Sequence, residues 1–130
     1  MNSRKGTTNT TGFVAVDKVR NLIVVSFRGT QTFGNLQADL NAGLTPLDMC
    51  NGVANCLGHS GFFQSWKDVR DIVIPAVKAA SANNAGFRVV STGHSLGAAV
   101  ASIAALELRN NQLTVDMVSV LLYGVMWNCD

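Results

Sequence analysis

The sequence predicts an α/β fold, a mostly parallel sheet with flanking helices, and three observations carry that expectation. Leu22-Ile23-Val24-Val25-Ser26-Phe27, Phe87 to Thr92 and a stretch within Leu113 to Tyr123 are short, nearly continuous apolar runs. Runs of this kind mark strands buried on both faces. Between the first two runs Trp66, Val69, Val73 and Val77 form a stripe at helical spacing. Between the second and third, Leu96 to Arg109 is rich in alanine and has strong helical propensity. Strand, helix, strand, helix, strand is the order of a parallel sheet wrapped by helices.

In chain order, Gly12-Phe13-Val14-Ala15-Val16 predicts a first short strand, and Asp17 to Asn21 a turn into the second. Arg28-Gly29-Thr30 ends that second strand. Gln31 to Leu40 carries Phe33, Leu36 and Leu40 at spacings of three and four, which suggests a short amphipathic helix. Asn41 to Gly61 reads as loop, with a short extended piece at Leu44 to Leu47. Pro75 lies inside the stripe of the long helix, lacks an amide hydrogen, and is expected to kink it. Gly86 closes that helix, and Asn110-Asn111-Gln112 closes the alanine-rich one.

The chain has 130 residues, enough for a single domain spanning 1–130 with a core of its own. Apolar residues make up 48% and charged residues 14%, about half the usual share, and mean hydropathy is +0.23. Such a chain is not intrinsically disordered. Its low charge suggests part of something larger. The net charge of +2, with no basic run beyond Arg4-Lys5, gives nucleic-acid binding no electrostatic support. No apolar stretch is long enough for a transmembrane segment; Met117 to Trp127 is interrupted by Ser119 and Gly124. Met1 to Thr11 is polar and threonine-rich, without the apolar core of a signal peptide. Asn9-Thr10-Thr11 fits a glycosylation acceptor, a pattern that chance supplies often. There are three cysteines. Cys50 and Cys56, in a loop rich in Gly and Asn, either close a small disulfide ring or remain free thiols, and Cys129 is the odd one. No spacing of His and Cys suggests a metal site.

Gly93-His94-Ser95-Leu96-Gly97 falls where the strand Phe87 to Thr92 meets the helix at Leu96. The G-x-S-x-G pattern is weak by itself, but a sharp strand-to-helix turn there would make it a nucleophile elbow. The turn strains the serine backbone and lifts its hydroxyl above the sheet. Gly93 and Gly97 are needed because a side chain at either place would collide with a neighbouring strand or helix. The helix N-terminus offers unpaired amide hydrogens to a developing oxyanion. His94, adjacent to Ser95, cannot fold back as its base and is a packing or hydrogen-bonding residue. A second oxyanion donor is expected from a loop after an early strand, where Gly29 allows close approach and Thr30 offers an amide and a hydroxyl.

These residues resemble the filamentous-fungal lipases, the class 3 family that also holds feruloyl esterases. The resemblance rests on Ser26-Phe27-Arg28-Gly29-Thr30, Ala38-Asp39-Leu40-Asn41, Gly58-His59-Ser60-Gly61-Phe62 and Thr92-Gly93-His94-Ser95-Leu96-Gly97-Ala98, in the family's order, between about Thr11 and Gly124. It implies part of an α/β-hydrolase fold, secretion, and hydrolysis of lipid or other esters, including at a lipid-water interface, with no metal and no organic cofactor. It further implies Ser95 as nucleophile, Thr30 and Leu96 as the oxyanion hole, and Gln31 to Leu40 as a lid presenting Gln31, Phe33, Leu36 and Leu40. Cys50 and Cys56 match the family's small disulfide loop.

In these hydrolases the triad runs Ser, Asp, His along the chain. No histidine follows Ser95 here, and Glu107 and Asp116 follow it too closely to serve as the triad acid. His59 lies upstream, in a segment the family keeps for structure. The last residues, Val125 to Asp130, depart from the family pattern, so the chain is expected to be a truncated member lacking the catalytic Asp and His. A feruloyl-esterase-like enzyme, a non-catalytic acyl-binding relative and a flavodoxin-like binding domain are the competing readings; the last lacks a glycine-rich phosphate loop.

Overall fold

The computed structural model describes residues 10–29, 43–50, 56–120 and 127–129. Two sheets and two long helices make up these residues. Strands β1 (Gly12–Asp17), β2 (Leu22–Phe27), β5 (Arg88–His94) and β6 (Val115–Val120) form a four-stranded sheet in the order β1-β2-β5-β6. Strands β3 (Leu44–Pro46), β4 (Cys56–His59) and β7 (Trp127–Cys129) form a second, smaller one in the order β3-β4-β7. Helices α1 (Ser60–Asn83) and α2 (Leu96–Asn110) are the crossovers between β2 and β5 and between β5 and β6.

The expected mostly parallel sheet is present. β2, β5 and β6 run parallel, with Ile23, Val89 and Val115 in register, and β1 is an antiparallel edge strand. The hairpin turn of β1 and β2 is set by Asp17, whose Oδ1 accepts from the amides of Val19 and Arg20 at 3.0 Å each.

Both helices lie on one face of the main sheet, where flanking on both sides would have buried the strands completely. Ile23, Val25, Phe27, Val89, Ser91 and Val115 point into the core. Phe27 meets Trp66 of α1 edge-on, with ring centroids 6.1 Å apart, and Ser91 Oγ donates to the Ala101 carbonyl of α2 at 2.8 Å. The opposite face, with Leu22, Val24, Val90 and Thr92, is half-buried. The reason is handedness. A parallel crossover is right-handed, so two crossovers that step across the sheet in the same direction, β2 to β5 to β6, place their helices on the same side.

Helix α1 runs unbroken across Pro75. Pro75 is on the exposed side of the helix, where water can satisfy a carbonyl left without a donor. Its buried stripe is Phe62, Phe63, Trp66, Val69, Val73 and Val77, so the expected apolar residues face the core. The Asn41 to Gly61 loop is a correction. Cys56–His59 is a strand, paired antiparallel with Leu44–Pro46 on one side and Trp127–Cys129 on the other, and Ser60 already belongs to α1. A strand of four residues that contains Gly and His has too little apolar alternation to be read as one.

A polar network ties the helices together. Trp66 Nε1 donates to the Glu107 carboxylate of α2. Arg70 lies 3.7 Å from that carboxylate and donates to Asp48 at 3.0 Å. Partial burial penalises the Arg70 cation, but the Asp48 hydrogen bond and the charges of Asp48 and Glu107 outweigh it and hold the guanidinium above its ordinary value. Asn110 of α2 donates to the Met49 carbonyl. The turn at residues 48–49 is thereby held by both helices.

Candidate active site

The strand-to-helix junction between β5 and α2 is built by close approach of backbone to backbone. A Cβ on Gly93 would stand 2.3 Å from the Gly97 carbonyl, and one on Gly97 would stand 2.2 Å from the Phe27 carbonyl oxygen. A Cβ on Gly29 would stand 2.6 Å from the His94 carbonyl oxygen. No real side chain tolerates these distances. The start of α2, the end of β5 and the segment after β2 therefore interlock through three glycines.

Ser95 sits at the centre of this junction with φ 56° and ψ −120°, a left-handed backbone that residues with a side chain adopt only under constraint. Its carbonyl accepts the first helical bonds of α2, from Ala98 at 3.0 Å and Ala99 at 3.3 Å. Its hydroxyl does not cap the helix. A serine at a helix N-cap ordinarily spends its oxygen on an amide of the first turn, and here that oxygen is kept from doing so. The amides at the start of α2 have no partner within the helix, and the aligned peptide dipoles give that end a partial positive charge. Ala98, Ala99, Ala101 and Ala104 are buried, which lets α2 lie close on the sheet.

Gly29 brings the chain after β2 to the same place, its Cβ position 3.7 Å from the Ser95 Cβ. Thr30 follows directly in sequence. Thr30 itself, and Gln31, Phe33, Leu36 and Leu40 of the expected lid, lie outside the described residues. His94 is exposed on the last position of β5, while Leu96 is half-buried as the first residue of α2.

His59, the other histidine, has a structural task. Its Nδ1 accepts from the amides of Gly61 at 3.1 Å and Phe62 at 3.3 Å, capping the N-terminus of α1. Its ring stacks on Phe62 with centroids 4.1 Å apart. Sequence reasoning missed this capping role, because histidine is not among the usual N-cap residues; the available signal was a side-chain acceptor placed just before Ser60-Gly61. Cys50 and Cys56 are joined by a disulfide, with Cα atoms 6.2 Å apart. The described residues contain no group of His, Cys, Asp and Glu arranged to hold a metal ion.

Residues 24–125 match the family model described as Lipase (class 3). The chain belongs to the class 3 lipases. Over 102 residues it is 43% identical to the secreted mono- and diacylglycerol lipase A of Penicillium cyclopium, covering 78% of this chain and 32% of that protein. The secreted mono- and diacylglycerol lipase 1 of Fusarium solani is 41% identical over 105 residues, covering 81% of this chain and 31% of that protein. Among solved structures, the mono- and diacylglycerol lipase of Aspergillus oryzae superposes with a TM-score of 0.75 at 38% identity, over 85% of this chain and 40% of that one. The Lip2 lipase of Yarrowia lipolytica gives 0.77 at 26% identity, over 87% and 41%. The fold is accordingly part of an α/β-hydrolase, and the chain spans about a third of the length of the curated relatives it matches.

Proposed function

We propose that this chain is the nucleophile-bearing part of a secreted serine hydrolase that cleaves acylglycerol esters. The observation that carries the reading is Ser95, held at φ 56° between interlocked glycines with its hydroxyl unused by the helix it precedes. In that role Ser95 Oγ attacks the ester carbonyl carbon, and the oxyanion is received by the Leu96 amide together with Thr30. The alcohol leaves, and water hydrolyses the acyl-serine. Gln31 to Leu40, with Phe33, Leu36 and Leu40 on its apolar side, acts as the lid that meets lipid. The secreted relatives and the Cys50–Cys56 disulfide both favour an oxidising, extracellular destination.

A serine hydroxyl is a poor nucleophile until a base removes its proton. Residues 96–130 contain no histidine, and the His59 Nδ1 is engaged in capping α1. On this reading the base is neither His59 nor His94, which is adjacent to Ser95. In the experiment, this chain is substituted for the matching segment of the Penicillium cyclopium relative and hydrolysis of mono- and diacylglycerol is compared with that of methyl ferulate. The expected result is acylglycerol turnover in the chimera, its loss in Ser95→Ala, and no measurable turnover of p-nitrophenyl butyrate by the 130-residue chain alone. Robust activity of the chain alone that disappears in Ser95→Ala would overturn the assignment of the base. Ferulate preference would move the substrate class.

A further inference from the structure

The elbow at Ser95 has two arms, strand β5 leading in and helix α2 leading out. Gly93 and Gly97 meet at its vertex. Away from the vertex a hydrogen bond spans the arms: Ser91 Oγ donates to the Ala101 carbonyl at 2.8 Å. Ser91 lies four residues before Ser95 and Ala101 six residues after it, so the bond braces the angle between strand and helix. Ser91 is fully buried on the core side of the sheet, in register with Val25 of β2.

The Ala101 carbonyl does not need this donor. It lies inside α2, where its ladder partner is the amide four residues on. Ala98, Ala101 and Ala104 are small and buried, so they bring α2 close to the sheet. Apolar contact of that kind is non-directional and leaves a helix free to roll. The Ser91 hydroxyl adds the direction.

On the reading of Ser95 as nucleophile, on which this rests, we propose that Ser91 is a positioning residue for the reaction. Through Ala101 it fixes the roll of α2, and so aims the Leu96 amide at the oxyanion. Helix Cα atoms lie about 2.3 Å from the axis, so a roll of about 20° carries the first turn through about 0.8 Å. An oxyanion donor acts at about 2.7–3.1 Å, and a misplacement near 1 Å can cost about a hundredfold in rate. The glycine contacts set how near α2 comes to β2 and β5; the brace sets its rotation. The oxyanion forms only as Ser95 reacts, so the effect falls on kcat and leaves KM unchanged.

The test compares Ser91→Ala, Ser91→Val and Ser91→Thr in the chimera with the Penicillium cyclopium relative. Threonine keeps the hydroxyl, and valine has the same shape without it. Turnover of a monoacylglycerol should fall about tenfold in kcat in Ser91→Ala and Ser91→Val at unchanged KM, and Ser91→Thr should restore it to within about twofold. Inhibition by phenylboronic acid, whose tetrahedral adduct with the serine puts an oxygen in the oxyanion hole, should weaken in the same ratio as kcat. Urea midpoints report folding, and Ser91→Ala, which removes one buried oxygen, decides the matter if Ser91→Val unfolds. Unchanged kcat and boronate affinity in Ser91→Ala overturn the proposal, as does a Ser91→Thr variant as slow as Ser91→Val. A rise in KM alone also overturns it. Absence of turnover in the parent chimera, or turnover that survives Ser95→Ala, instead overturns the reading of Ser95 and this proposal with it.

Discussion

The Phe27 carbonyl oxygen lies 2.2 Å from where a Cβ on Gly97 would stand. The first turn of α2 therefore rests on the backbone of β2, with no side chain between them. This contact aims the start of α2, and Ser95 with it, at the end of the central strand.

Gly97→Ala should therefore unfold the junction. The obstructing atom is backbone, so relief requires the helix to lift from the sheet. Overpacking of this kind costs about 3 kcal/mol. Urea denaturation of Gly97→Ala beside the surface control Ala79→Gly measures it, and an unchanged midpoint for Gly97→Ala would show that α2 is free to shift.

Ser95 should be less stable than it need be. A non-glycine residue in its backbone region costs about 1–3 kcal/mol, and glycine restores part of that as entropy of the unfolded chain, about 0.5–1 kcal/mol. Ser95→Gly is expected to raise stability by about 1 kcal/mol. Ser95→Ala removes the same hydroxyl but keeps the strain, so it should be nearly neutral. Equal midpoints for the two variants would refute the strain.

Glu107 holds the Trp66 indole and faces Arg70, so its loss should be felt in the core. Trp66 is fully buried. Glu107→Ala leaves its N–H without an acceptor, at a cost of about 1–3 kcal/mol. Glu107→Gln keeps an acceptor and should cost less. Chemical denaturation ranks the two, and the reverse order would remove the indole bond from the account.

Acid should loosen the β1–β2 turn through Asp17. The Arg20 amide and then the Arg20 guanidinium hold this carboxyl below its ordinary value of 3.8. A group that binds its proton less readily when folded stabilises the fold above its ordinary value. That contribution fades as pH falls through 3.8 and is lost below the lowered value. Amide exchange at Val19 and Arg20 should accelerate across that interval in the native chain and show no such step in Asp17→Asn. An identical pH profile in both would sink the assignment.

Much of this was legible in the chain. The runs at Leu22–Phe27 and Arg88–Thr92 are strands, and the stripe of Trp66, Val69, Val73 and Val77 is the buried side of a helix, because burial leaves its period in the sequence. Gly93-His94-Ser95-Leu96-Gly97 was legible because two glycines flank a serine at a change of period. The interlock of Gly29 with His94, by contrast, joins residues far apart in sequence and leaves no local pattern.

By itself the sequence determined the strands Leu22–Phe27 and Arg88–Thr92, the two long helices, the family, and a serine at the turn between β5 and α2, since each follows from side-chain period or local motif. The tertiary structure alone decided that α1 and α2 share one face of the sheet, because handedness acts only once the strand order β2-β5-β6 is set. It alone decided that Cys56–His59 is a strand, because a segment this short is held by its ladder partners and not by its own composition. It also gave His59 to the start of α1, where two unpaired amides needed an acceptor and the imidazole was within reach.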